Sequence, residues 1–314
     1  MNDDVLSIAR FGLTALQNFA FAVLVGALLS DTWLRRKPST WQSAVAKSLA
    51  RLFRGAAIVA FAASVLYFWI HCAMMADTPL WEAWPAVQSM LRATDFGHAW
   101  AVTAVMLGTV IVLAFLAWEP AHNTTRIALW IAIAGAALAR SHGGHPVDSG
   151  VLGLPVLVDW VHLLSISAWV GLVVVAACAV MPLLAAGAPV ERLDGADYVQ
   201  SLSDAATYAL IALFLTGAYN GWHLVGAPEN LLGAYYGKVL LLKLAFVLVA
   251  AALGGHNRFF EMPTLLAALR QPNSSVGDRL IRRFTNVLRI ESVVLAAVLI
   301  VAAVLVASAL PGTE

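Results

Sequence analysis

Histidines, methionines and a few charged residues stand at the ends of long apolar stretches in this chain. One stretch closes with His71-Cys72-Ala73-Met74-Met75. On a helix His71, Met74 and Met75 share one face, at i, i+3 and i+4. Imidazole and thioether are ligands that suit copper, and thioether favours Cu(I). The competing reading is an interfacial histidine beside two methionines that only fill space.

A second constellation opens the segment Asp159-Trp160-Val161-His162. Asp159 and His162 share a helix face, and a carboxylate beside an imidazole can fix its tautomer and raise its basicity. A charged aspartate inside a membrane span costs roughly 2.5–3.5 kcal/mol unless it is shallow or paired. That cost favours function over a plain helix-end hydrogen bond. His142 and His145 flank two glycines in Ser141-His142-Gly143-Gly144-His145-Pro146. Glycine permits sharp turns or close approach there, although solvated punctuation would look the same. Tyr219 and Asn220 stand one turn before His223, beside Trp222, and an aromatic belt is the alternative reading. His98 follows Asp95 by three residues and could be only a solvated helix start. Lys238 can snorkel to the interface. Lys243, deeper in the same segment, needs a partner or a wet cavity, and Asp159 is the candidate partner. Glu291 is expected to pair with Arg289 or Arg258.

The elements that must hold these groups are membrane helices. The chain of 314 residues is 61% hydrophobic and 12% charged, against roughly 45–50% and about 25% in soluble domains. Its hydrophobicity comes in blocks near the length of about 20 residues that a bilayer asks of a helix. Strand-like alternation is absent, and lipid leaves the backbone only helices or closed barrels. Eight blocks are expected as spans, at about 10–30, 54–76, 97–118, 126–141, 156–184, 204–224, 236–254 and 288–310. The fold class is therefore all-α: a polytopic bundle of eight transmembrane helices forming a single integral membrane domain over 1–314. The first block is expected to be a retained span, because Asp3 and Asp4 stand where a signal peptide needs basic residues.

Lysine and arginine set the orientation. Arg35, Arg36, Lys37, Lys47, Arg51, Arg54, Arg126, Arg192, Arg258, Arg270, Arg279, Arg282, Arg283 and Arg289 fall on one side of an eight-span topology. Only Arg10, Arg92, Arg140 and Lys238 fall on the other. The rich side is cytoplasmic, so both termini are expected in the periplasm. His71, His98, His142, His145, His162 and His223 then lie near the periplasmic face, with His122 and His256 on the cytoplasmic side. Residues 77–95, with Trp81 and Trp84, read as an interfacial segment. Residues 263–285 read as a short cytoplasmic helix followed by a turn.

No Walker loop, Rossmann glycine pattern, nucleophile elbow, CxxC or HExxH stands in a fitting context. No loop has room for a soluble domain, so an ATP-driven pump is not expected. Cys72 and Cys178 fall on different spans and imply no disulfide framework. A net charge of +1 gives no argument for nucleic acid, and no such partner is expected. No strong internal repeat stands out.

Several motifs resemble the CopD/PcoD family of bacterial copper-resistance inner-membrane proteins. They are DWVHLLSISAWVGL at 159–172, SHGG at 141–144, LTGAYNGWHLVG at 215–226, YYGKVLLLKLAF at 235–246 and LGGHNR at 253–258. The similarity is strongest over about 140–310. The first half agrees mainly in helix number and topology. The resemblance implies a copper-handling protein of the bacterial inner membrane, with import the usual proposal. It also implies a separate small periplasmic copper-binding partner.

The expected function is copper transport. The expected outer site draws on His71, Met74, Met75, His98, His142, His162 and His223, supported by Asp159, Asn220 and Lys243. No matching ladder crosses the cytoplasmic half, where Met106, Cys178 and Met181 are the soft residues. The alternative of another class is a b-type haem redox protein acting on copper or quinone. In it His71, His98, His162 and His223 would supply haem ligands from neighbouring helices. A scaffold with merely interfacial histidines is the third reading.

Overall fold

A computed structural model describes residues 3–34, 40–116, 123–143, 153–187, 192–225, 229–271 and 277–308. His122 and His145 lie outside these residues. So do Arg35, Arg36 and Lys37, which the charge argument used.

The chain runs through α1 (Asp3–Leu34), α2 (Thr40–Met75), α3 (Trp84–Ala93), α4 (Asp95–Leu116) and α5 (Asn123–His142). It continues through α6 (Leu154–Val175), α7 (Met181–Ala186), α8 (Arg192–Val225), α9 (Asn230–Gly233) and α10 (Tyr235–His256). It ends with α11 (Met262–Leu269) and α12 (Gly277–Ala307). No strand occurs among the described residues. Among the described residues, seven helical stretches are long and apolar enough to cross a membrane: α1, α2, α4, α6 through α7, α8, α10 through α11, and α12. The fourth apolar block forms α5, a helix of 20 residues bounded by Arg126 and Arg140, and is not among those seven.

The helices overrun several expected boundaries. α2 starts at Thr40 rather than near 54, and α8 starts at Arg192 rather than near 204. The additional turns are polar, basic in α2 and mixed in charge in α8, so they extend past the apolar blocks by which the spans were recognised. Residues 77–95 form a 3₁₀ turn at Leu80–Glu82 followed by α3. Trp81 and Trp84 are exposed there, as headgroup-level aromatics should be. The Trp69 indole ties this segment down by donating to the Leu80 carbonyl at 2.8 Å. Thr94 ends α3 and caps α4, accepting from the Gly97 amide at 3.0 Å.

α6 is the central element, with 72% of its most apolar window buried inside the protein. It packs on α1, α5, α8 and α12. Contact with α1 is backbone to backbone. A Cβ at Gly26 would stand 2.1 Å from the Gly171 carbonyl carbon, and one at Gly171 would stand 1.8 Å from the Ala22 oxygen. Lipid tails are as apolar as leucine, so close packing of small residues is what holds such helices together.

Two π-helical turns interrupt the bundle, at Ala176–Val180 and Asn257–Glu261. Each leads straight into a Met-Pro pair, Met181-Pro182 and Met262-Pro263, at the start of α7 and α11. Proline has no amide hydrogen, and its ring collides with the carbonyl four residues earlier. A wider turn at that place lets the helix continue. The pairs head Met-Pro-Leu-Leu-Ala-Ala and Met-Pro-Thr-Leu-Leu-Ala-Ala. This is a local repeat that hydropathy did not bring out. It corrects the expectation for 263–285: the short helix α11 continues α10 directly. His162 and Lys243 stand equally far before their respective Met-Pro pairs.

Ion pairs tie the helices at the arginine-rich ends. Arg126 pairs with Asp31, Arg192 with Asp278 at 2.6 Å, Arg258 with Asp204 at 3.0 Å, and Arg283 with Glu261 at 2.9 Å.

Candidate functional site

The helix period sets the site. On α6 the residues Asp159, His162, Ile166 and Trp169 fall on one stripe. On α8 Thr216 and Asn220 stand one turn apart, and on α10 Lys243 lies about two turns from the helix start. α6 packs on α1, α5 and α8, and α8 also touches α1 and α10. Asn220 Nδ2 donates to Asp159 Oδ1 at 3.4 Å. Ser141 is within hydrogen-bond reach of the same carboxylate, and Lys243 and Arg140 bring positive charge to it. Arg140 also donates to Asn18 Oδ1 of α1. Its guanidinium lies 5.5 Å from the centre of the Phe21 ring.

His162 is held in one tautomer. Its Nδ1 lies 2.9 Å from Thr216 Oγ1. The threonine hydrogen is engaged by the Ala212 carbonyl at 2.7 Å, so Nδ1–H donates and Nε2 keeps its lone pair. Gly217 leaves room for the ring: a Cβ there would meet His162 Cε1 at 3.5 Å. The expected tautomer-fixing partner was Asp159; the structure gives that role to Thr216. A neutral imidazole with one nitrogen donated elsewhere is the usual form of a metal-ligating histidine.

Other expected residues sit apart from this network. His71 stacks on Tyr67 and packs against Phe96 at 4.8 Å. Its Nδ1 is buried with no hydrogen-bond partner among the described residues. Arg10 lies beside it and donates to Met74 Sδ at 3.7 Å, so a cation approaching that sulfur meets a guanidinium first. Met75 is 67% exposed and turns away. His98 is exposed at the start of α4. His142 donates through Nδ1 to the Leu138 carbonyl at 2.9 Å. His223 donates to the Tyr219 carbonyl at 3.1 Å and stacks on the Tyr219 ring. No group of three or more His, Cys, Asp or Glu that could hold a metal ion occurs among the described residues. His162 and His223 bond Thr216 and the Tyr219 carbonyl, His71 packs among aromatic rings and His98 is exposed, and nothing in these contacts supports the haem reading.

Sequence reasoning found Asp159, His162, Asn220 and Lys243, and the structure brings them together. It missed Asn18, Arg140, Ser141 and Thr216. Arg140 had been counted only for the side on which it falls; the shortness of its apolar block was the available signal that it turns into the protein. Glu291 was expected to pair with an arginine. It instead accepts from Trp169 Nε1 at 3.0 Å, while Arg258 bonds Asp204 and Ser203 and Arg289 reaches Asn286.

Fold and site define a multi-pass helical membrane protein with a charged, histidine-bearing network partly buried between its helices. Residues 196–305 match the family described as Copper resistance protein D. Residues 1–154 match the Copper resistance protein D-like N-terminal domain. Copper resistance protein D of Pseudomonas syringae pv. tomato is 26% identical over 291 residues, covering 89% of this chain and 90% of the relative. No solved structure matches. The chain belongs to the copper resistance protein D family.

Proposed function

We propose that this protein carries copper inward across the bacterial inner membrane, receiving it at a site centred on His162. The carrying observation is the fixed tautomer of His162, which leaves the Nε2 lone pair free on a residue one helical turn from the Asp159 carboxylate. Asp159 draws the cation in. Lys243 and Arg140 neutralise Asp159 in its absence. Copper arriving at His162 competes with the Lys243 ammonium for Asp159, and the local net charge stays constant when Lys243 releases its proton to water. His142 and His223, on neighbouring helices, are the proposed relays toward the surface. His71, Met74, Met75 and His98 form a second receiving patch, which takes copper once Arg10 moves off Met74.

The same reading takes α5 as an eighth crossing, because it packs on α4 and α6 within the bundle. The termini are then periplasmic, by the excess of arginine and lysine on the opposite side. Copper comes from a separate small periplasmic carrier.

The test is a metal and haem inventory of protein purified in mild detergent, followed by Cu(I) titration. Stoichiometric copper, lost when His71, His162 and His223 are together replaced by alanine, supports the reading. Unchanged copper content in that triple variant, or a strong Soret band in the native protein, overturns it.

A further inference from the structure

We propose that a cavity further along α6 from the His162 network exchanges protons, with Glu291 as the group that takes them up and gives them back. A cavity of about 260 Å³ opens between α6, α8, α10 and α12, and its wall includes Trp169, Ser203, Asn257, Arg258, Met262 and Glu291. Glu291 is 2% exposed, and the donor that the structure gives it is the Trp169 indole. A carboxylate so buried either carries a proton or has a cation beside it. Asn257 stands on the same wall, 4% exposed, and its Oδ1 is buried with no hydrogen-bond partner among the described residues. Buried polar atoms are rarely left so. This one belongs to the first residue of a π-helical turn, and such turns gather at functional sites. A cavity of this size holds several waters, which an acid and an unpaired acceptor on its wall would order.

The surrounding charges favour a proton over a metal ion. Arg258 is on the wall and already brings a positive charge, bonded to Asp204 and Ser203 of α8. α6 offers Trp169, which donates and cannot ligate. Arg289 of α12 is turned to Asn286, and the wall includes no residue of α1. Beyond the wall, Glu261 is engaged by His256 and Arg283. A proton neutralises Glu291 without adding a second cation beside Arg258.

Position along the helices links this cavity to the outer network. Trp169 follows His162 on the same stripe of α6, about 10 Å along at 1.5 Å per residue. On α10 Lys243, Val247, Ala250 and Gly254 share one face. Val247 and Ala250 are buried, and a Cβ at Gly254 would stand 3.1 Å from Glu291 Oε1. An apolar step therefore separates two ionisable groups that share two helices. The coupling of this proton to copper rests on the reading above; the protonation of Glu291 does not.

The experiment uses the full chain in detergent without copper. Infrared difference spectra across pH read the protonated-carboxyl stretch, and dicyclohexylcarbodiimide labelling with peptide mass spectrometry reads the position. The expected result is a stretch that titrates, vanishes in Glu291→Gln and survives in Asp159→Asn. Label on Glu291 should fall about tenfold for each pH unit above the midpoint. Glutamine keeps the acceptor for Trp169, and the native protein alone gives the labelling result if that variant misfolds. A pH-independent label, an unlabelled Glu291, or a label blocked by added Cu(I) or Na⁺ at constant pH would overturn the proposal. Failure to bind copper in the separate titration would leave it standing.

Discussion

His162 Nδ1 lies 2.9 Å from Thr216 Oγ1, on a threonine whose own hydrogen is spent on its helix. A side chain with no charge and no metal affinity thus decides which imidazole nitrogen is available. The decision is made across the α6–α8 contact, and the sequence spacing of Asp159 and His162 had pointed to the wrong partner.

Thr216→Val keeps the shape and removes the acceptor. His162 can then adopt the other tautomer, and Cu(I) affinity should drop about 10–100-fold, the usual cost of losing such an orienting partner. Thr216→Ser should restore most of it. Competition titration with a Cu(I) chelator reads both, and equal affinity in the valine variant would remove His162 from the centre of the site.

Asp159 and Lys243 should behave as a coupled pair. Asp159→Asn leaves Lys243 without its carboxylate and should destabilise the fold by about 3–5 kcal/mol if the ammonium stays charged. Lys243→Met alone should hold copper longer, because nothing competes for Asp159, and should slow its uptake into vesicles. The double variant should regain stability over Asp159→Asn alone. Additive melting shifts in purified protein would show that the two charges do not meet.

The α1–α6 seam gives a prediction independent of copper. Gly26→Ala or Gly171→Ala drives a methyl group into backbone rather than into a yielding side chain. Each should cost on the order of 1–3 kcal/mol or more and shift elution toward larger species. Gly12→Ala and Gly55→Ala meet nothing within 4 Å and should be neutral or gain up to about 1 kcal/mol in helix propensity. Similar melting of all four variants would contradict the close approach.

Much of the bundle was legible because a bilayer demands long apolar blocks, and those blocks survive in the helices. Their polar extensions at Thr40 and Arg192 were not legible, since the hydropathy that reports a span is silent about helix continuing beyond it. That Asp159 would gather a donor and positive charge, as it does in Asn220 and the nearby Lys243, was foreseeable from cost alone: such groups cannot be left uncompensated in lipid. Thr216 and Asn18 are uncharged and cost the membrane far less, so their types marked them less strongly. Glu291 was misassigned because linear nearness to a span end was taken for nearness to arginine, whereas its partner is Trp169. The π turns before Pro182 and Pro263 were within reach, because a proline amid apolar helix always requires some local widening or break.

The Trp169–Glu291 contact offers the last prediction, a separation of stability from function at the inner cavity. Trp169→Phe removes the donor and leaves a buried acceptor unsatisfied, at a cost of about 1–3 kcal/mol plus lost packing. Glu291→Leu strands the indole hydrogen instead. Replacing both partners by apolar groups of similar shape leaves nothing unsatisfied, and such replacements are often neutral or stabilising. The double variant should therefore melt at or above the temperature of either single variant, while its copper uptake stays abolished. A chain that keeps Glu291 only for packing would show the opposite pattern: uptake in Glu291→Leu at the native rate in vesicles, with stability falling additively.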